Sequence, residues 1–277
     1  MSNRINKIFI CIIANFVLAN NAFAVSDKYT TLDSAKIVVS YNLTFQVDSN
    51  DISSIRTEEM LLLIGNDISL FISYNQFKNH HGESAAIISF SNTYNLFEGK
   101  GISASFFPYR IFKNFPAGKI TFCQFIPFSY YKYIEDMNSI NWQILEKKER
   151  ILGYDVYKAI TKYGGRTWEA WFTPYIPIID GPYKFHGLPG LIVKLQDSKN
   201  HYVFVINNFG KQPEAIPIKM LNEKYIDTNR HKFHEFEKHF TRNQYEHIYN
   251  LGTRPDDPTP FIEASKRENI FLELKPE

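Results

Sequence analysis

Three histidines and two glutamates fall within residues 231–239, in the order HKFHEFEKH. A zinc-protease helix needs two histidines four apart with a glutamate beside the first. His234 and His239 are five apart, so on a helix of ~3.6 residues per turn they point about 140° away from one another. His231, Glu235 and His239 do share a face at i, i+4 and i+8. That face lies opposite the apolar positions Phe233, Phe236, Phe240, His247 and Leu251, where His–Glu pairs are ordinary solvated neighbours. No metal site and no cofactor is expected. Cys123 sits in the apolar run KITFCQFIPF, the setting of a buried structural thiol rather than a nucleophile. A Walker loop, a G-x-S-x-G elbow, a C-x-x-C pair and a calcium loop are all missing from the sequence.

A second group of residues is suited to binding. Arg166, Trp171, Lys184, Phe185 and His186, with Trp168 beside them, offer cations and flat aromatic surfaces to a peptide, a glycan or a lipid headgroup. Packing accounts for the aromatics equally well, and Glu169 and Asp180 are close enough in sequence to pair with Arg166 and Lys184. Lys184 and His186 are harder to explain by packing, because they stand on a short excursion between two turns. The turns are Asp180-Gly181-Pro182 and Leu188-Pro189-Gly190-Leu191. In the second, Pro189 presets φ and Gly190 tolerates the positive φ of a type II turn.

The block GRTWEAWFTPYIPIIDGPYKFHGLPGLIVKLQD resembles the signature of the GLPGLI family, exported proteins typical of Bacteroidota, named for the six residues Gly187 to Ile192. SYNLTFQVD, EMLLLIGNDISLFISY and ILGYDVYKA extend the resemblance over about residues 35 to 210. Many members carry a cysteine where this chain has Val156, so no thiol role transfers there. The family has no established reaction. The resemblance implies a cell-envelope role, with a TonB-dependent outer-membrane receptor as the implied partner.

The elements that must position these residues are mostly strands. In AKIVVSYNLTFQVD, Ile37, Val39, Tyr41, Leu43, Phe45 and Val47 alternate with polar residues, a half-buried antiparallel strand. Gly65-Asn66-Asp67 separates two further strands. Short runs at residues 102–107, 118–125, 128–135 and 141–148 read as meandering sheet. Gly164-Gly165 joins strands 156–162 and 166–172 as a two-residue hairpin turn, although Arg166, Glu169 and Trp171 do not fit one simple alternation and call for a bulge. Leu191 onward alternates, turns at residues 197–200 and returns as YVFVI. A helix is expected from about Thr228, capped by Asp227 or Thr228. These elements predict a mainly β fold: a curved antiparallel sheet, on fold analogy a half-barrel like a lipoprotein carrier, with a C-terminal helix. The divisions are a leader at residues 1–24, a β domain at 25–221, a helix at 222–252 and a proline-rich arm at 253–277 that docks at IFLEL.

Composition sets the compartment and excludes some partners. Arg4 and Lys7 precede an apolar run of about a dozen residues, and Ala22 and Ala24 form an A-x-A site, the pattern of a signal peptide cleaved before Val25. That run is short of the ~20 residues that span a bilayer, so the mature chain is expected to be periplasmic or outer-membrane associated and not membrane-spanning. Cys11 leaves with the leader. The chain has 31 Lys and Arg against 29 Asp and Glu, and losing Arg4 and Lys7 makes the two signs equal, which argues against nucleic acid as a partner. The leading expectation is a non-enzymatic envelope accessory protein that binds a receptor partner or an apolar or peptide ligand. The alternatives are a hydrolase or metalloprotein using the His-rich helix, and a purely structural envelope protein.

Overall fold

The computed structural model describes residues 28–81, 105–126, 129–243 and 271–274. The leader, much of the proposed 102–107 run, His247, Leu251 and most of the proline-rich arm lie outside the described residues. Among the described residues, twelve strands form one sheet. In chain order they are β1 (Tyr29–Gln46), β2 (Ile55–Ile64), β3 (Ser69–Ser73), β4 (Tyr109–Lys113), β5 (Lys119–Ile126), β6 (Ser129–Asp136) and β7 (Gln143–Ile151). Then come β8 (Tyr154–Tyr163), β9 (Arg166–Thr173), β10 (Leu191–Asp197), β11 (Tyr202–Leu221) and β12 (Tyr225–Asp227). Helix α1 (Tyr74–His81) follows β3, and α2 (Arg230–Arg242) follows β12.

The spatial order is β12-β6-β5-β4-β3-β2-β1-β11-β10-β9-β8-β7. Every described pairing is antiparallel except β12 with β6, which is parallel, so the sheet is mixed at one edge. Strand β12 and α1 were not marked by periodicity, since three and eight residues are too short to carry a pattern. Helix α2 starts at Arg230, and its cap is Asn229, which accepts from the Lys232 amide at 2.9 Å. Asp227 is instead the last residue of β12.

Strands β6 and β8 stand nine places apart in the order, about 43 Å in a flat sheet at ~4.8 Å per strand. Yet the Tyr163 hydroxyl of β8 lies 3.3 Å from both Glu135 oxygens of β6. The sheet is therefore strongly curled, and residues 174–190 fill its concave side. On that side Tyr41, Phe71, Tyr109, Phe122, Trp168 and Phe185 join one core. A smaller core of Val38, Leu61, Leu63, Phe77 and Phe112 packs under α1 on the convex side. Both faces are covered around β2 and β3, which explains the near-continuous apolar run in MLLLI. In β1, register shifts at 31/33, 35/37 and 40/41 bend the strand, so Ile37 is only half-buried while Ala35 and Val38 serve the convex core.

The bulge expected near Arg166 lies across the ladder, where β10 slips between Ile192 and Lys194 against Phe172 and Trp171. Gly164 and Gly165 both have positive φ, 61° and 74°, and Tyr163 pairs with Arg166 as a two-residue turn requires. The Leu188–Leu191 turn is tighter than type II. The Gly190 amide donates to the Leu188 carbonyl at 2.7 Å, an i to i+2 closure over Pro189, and Leu191 N–H bonds to Ile176 O at 3.1 Å instead. Gly190 has φ +140°, and a Cβ there would lie 2.1 Å from the Thr173 carbonyl oxygen. Gly187, with φ +89°, has open space around it. Gly190→Ala should therefore destabilise by about 2–4 kcal/mol and Gly187→Ala by only about 1 kcal/mol. Urea midpoints of the two variants check this, and equal losses would show that backbone strain alone, not close approach, sets the requirement for glycine.

Candidate functional site

The loop between β9 and β10 turns Asp180, Tyr183 and Lys184 inward, while Tyr175 stays exposed. Tyr183 takes φ +55°, a left-handed conformation uncommon for a bulky residue, and Tyr183, Lys184 and Phe185 are all buried. Phe185 packs 4.8 Å from Trp168 and 5.4 Å from Tyr163 between ring centroids, a burial contributing roughly 1.5–3 kcal/mol. Lys184 is fully buried, so it is unavailable to a partner at the surface. The loop enters through a second buried pair, Lys113 with Asp180, backed by the Ser69 hydroxyl at 2.5 Å and the Gly181 carbonyl at 2.6 Å.

Lys184 has three N–H donors, and three acceptors meet them: Glu135 Oε1 at 2.6 Å, Glu273 Oε1 at 2.8 Å and the Tyr133 hydroxyl at 2.8 Å. The rings of Tyr133, Phe122 and Tyr183 lie 4.8, 5.3 and 5.4 Å from the ammonium. Glu273 is the hub. Its Oε1 also accepts from the Tyr183 hydroxyl at 2.7 Å, and its Oε2 from Arg230 Nε at 2.6 Å. His234 Nε2 lies 3.1 Å from Oε2, and His234 Nδ1 lies 3.0 Å from Glu237 Oε2. Both imidazole nitrogens thus face carboxylate oxygen, an arrangement that favours the imidazolium. Three cations, Lys184, Arg230 and His234, meet three carboxylates, Glu135, Glu237 and Glu273.

Burial by itself raises the Glu273 pKa, but Lys184, then His234 and Arg230, hold it well below the usual carboxylate range. Burial pulls His234 down, and its bonds to Glu237 and Glu273 overcome that and leave it raised. Tyr133, Tyr163 and Tyr183 are all raised, first by burial and then by the Glu273 charge.

Glu273 arrives on the C-terminal segment Phe271–Leu274, and residues of the signature block clamp that segment. Arg166 Nε donates to the carbonyls of Phe271 and Leu272, each at 3.1 Å, and Nη2 donates to Phe271 O. Arg166 Nη1 pairs with buried Asp197 at 2.9 Å, which fixes the guanidinium. Leu274 N–H donates to Gly164 O at 2.8 Å, and Lys238 Nζ to Leu274 O at 2.5 Å. Beside Leu272 and Glu273 lies a cavity of about 160 Å³ lined partly by Phe45, Phe107, Tyr109 and Tyr202.

Arg166 and Lys184, from the sequence-derived set, therefore converge on one short peptide. Trp171 and His186 do not join them. Trp171 is buried, donates to Glu149 at 3.0 Å and carries Lys194 and Lys158 at 4.5 and 4.8 Å from its ring. His186 is half-buried, with Nδ1 2.8 Å from Lys184 O, and burial lowers its pKa. The pairings also differ from sequence proximity: Glu169 serves Lys158 at 3.0 Å and Asp180 serves Lys113. Glu135, His234 and Glu273 carry no spacing signal; only the apolar–acidic word IFLEL pointed to docking. His231 and Glu235 are exposed and 3.5 Å apart, on the solvated face. Cys123 is buried, and burial pushes its thiol up to about 12.

A family described as a protein of unknown function, Porph_ging, matches residues 164–194, the stretch containing Gly164, Arg166, Tyr183 and Lys184. Two crystal forms of a protein described as PNGF-II are similar at 15% identity, with TM-scores of 0.48 and 0.45. They cover 73% and 72% of this chain, which spans 32% of theirs. No curated protein matches the chain.

The two shifted groups set a pH dependence. His234, raised from 6.5, stabilises the fold fully below pH 6.5, and that contribution is lost as pH rises through its folded value. Glu273, lowered from 4.5, stabilises above pH 4.5 and loses its contribution as pH falls through its folded value. The urea midpoint of His234→Gln should therefore fall short of wild type most at pH 5–6, with the gap narrowing toward pH 9. A gap constant over that range would contradict a charged His234.

Proposed function

We propose that this chain is an exported cell-envelope binding protein, as its resemblance to the GLPGLI family implies, whose concave face takes an extended acidic peptide segment. The observation that carries the reading is how Phe271–Leu274 is held. Its backbone is bonded near both ends, by Arg166 at Phe271 and Leu272 and by Gly164 and Lys238 at Leu274, while its single acid enters a cationic pocket. Backbone anchors tolerate many sequences, and a buried carboxylate pocket selects one residue type; together they are the means by which peptides are recognised. The C-terminal segment is then the occupant in cis, and an acidic segment of an envelope partner, such as a TonB-dependent receptor, is the occupant in trans. Export rests on the leader pattern of residues 1–24. No helix among the described residues is long and apolar enough to cross a membrane.

A permanent structural strap is the second reading, favoured by the 1% exposure of Glu273. A fluorescent peptide NIFLELKPE, added to the full chain carrying Glu273→Ala, separates the two. The binding reading expects saturable one-to-one binding, with the peptide carrying Glu273→Gln about tenfold weaker or worse, and slower, weaker uptake by the wild-type chain through displacement of its own segment. If the folded variant and the wild type both exclude the peptide, the strap reading stands.

A further inference from the structure

A second cavity opens on the convex face, away from the peptide clamp. It has a volume of about 680 Å³ and lies among α1, the β4–β5–β6–β12 edge and the two chain segments at Lys28 and Leu221. Arg110 of β4 is one of its walls. Its side chain points to the convex side, opposite Tyr109 and Ile111, and is only 5% exposed. Its Nη2 has no hydrogen-bond partner, and it makes no ion pair among the described residues. Buried arginines are ordinarily matched by a carboxylate, as Arg166 is by Asp197 here. None of the described residues lining this cavity is acidic. Asp227 at the same edge is already paired with Lys132 at 3.2 Å.

The remaining walls define what would complete the site. Lys28 adds a second cation, and Phe125, Tyr130 and Tyr225 an aromatic side with ring centroids 4.9 and 5.9 Å apart in sequence around the edge. We propose that this convex cavity binds a small organic anion, its carboxylate, phosphate or sulfonate group on Arg110 and its flat or apolar body against Phe125, Tyr130 and Tyr225. Burial lowers the Arg110 pKa, and the groups that oppose the shift are tyrosines and Cys123, not carboxylates. Arginine nevertheless remains protonated, so the charge persists and an anion is the group that neutralises it. A guanidinium meets such an oxyanion by paired hydrogen bonds that a lysine would not reproduce.

The test uses two probes of similar shape and different charge: 1-anilinonaphthalene-8-sulfonate, which is anionic, and N-phenyl-1-naphthylamine, which is neutral. The full chain should bind the sulfonate saturably and one-to-one at this site. Arg110→Met should weaken it about tenfold or more, leave the neutral probe unchanged and raise the denaturation midpoint of the unliganded protein, because an uncompensated buried charge is removed. Arg110→Lys keeps the charge and should retain part of the sulfonate affinity, which keeps the comparison open if the methionine variant does not fold. Equal sulfonate affinity in wild type and variants, no saturable binding in any of them, or parallel loss of both probes would overturn the proposal. Inorganic phosphate and palmitate as competitors then distinguish a phosphoryl headgroup from a fatty carboxylate, and displacement by either supports the site.

Discussion

The carboxylate of Glu273 is buried in an aromatic interior, and the rest of the concave face follows from having to neutralise it. A lone charge there would be costly by several kcal/mol. Lys184 supplies compensation from the β9–β10 loop, and Arg230 and His234 supply it from α2, where His234 also meets Phe122. The cluster thus joins the curled sheet, the helix and the C-terminal segment into one electrostatic unit. The left-handed backbone at Tyr183 is part of the same solution, since Tyr183, Lys184 and Phe185 are buried in succession and the first two meet Glu273.

This arrangement gives the signature block a physical purpose. Gly164, Arg166, Tyr183 and Lys184 lie on two separate turns, yet all contact Phe271–Leu274 or its acid. Gly190 lets the loop lie against Thr173 and Pro174, closer than any side chain permits. The block therefore works as a clamp with a close-packed base, and its aromatic residues serve as walls.

Much of the sheet was legible because alternation in β1, the Gly164-Gly165 turn and the Gly65–Asp67 break are local signals. The bulge in β10 and the parallel β12 depend on neighbours far away in sequence, and no local pattern carries them. The site was half-legible. Arg166 and Lys184 stood out as cations among aromatics, and IFLEL as an apolar word in a polar tail, but their connections span 105 residues from Arg166 to Phe271 and 89 from Lys184 to Glu273, and only the fold brings them together. Lys184 looked exposed because lysine usually is; three well-placed acceptors make the exception. His234 stayed hidden behind the i, i+4 arithmetic that tests for metal and not for a buried imidazolium.

The coupling between Lys184 and Glu273 tests the account most directly. Denaturation midpoints of Lys184→Met, Glu273→Gln and the double variant close a double-mutant cycle. The account predicts a coupling of about 2 kcal/mol or more, as for a buried charge pair. Additivity within about 0.5 kcal/mol would contradict it, because Glu273 would then not be held by the loop that the signature block forms.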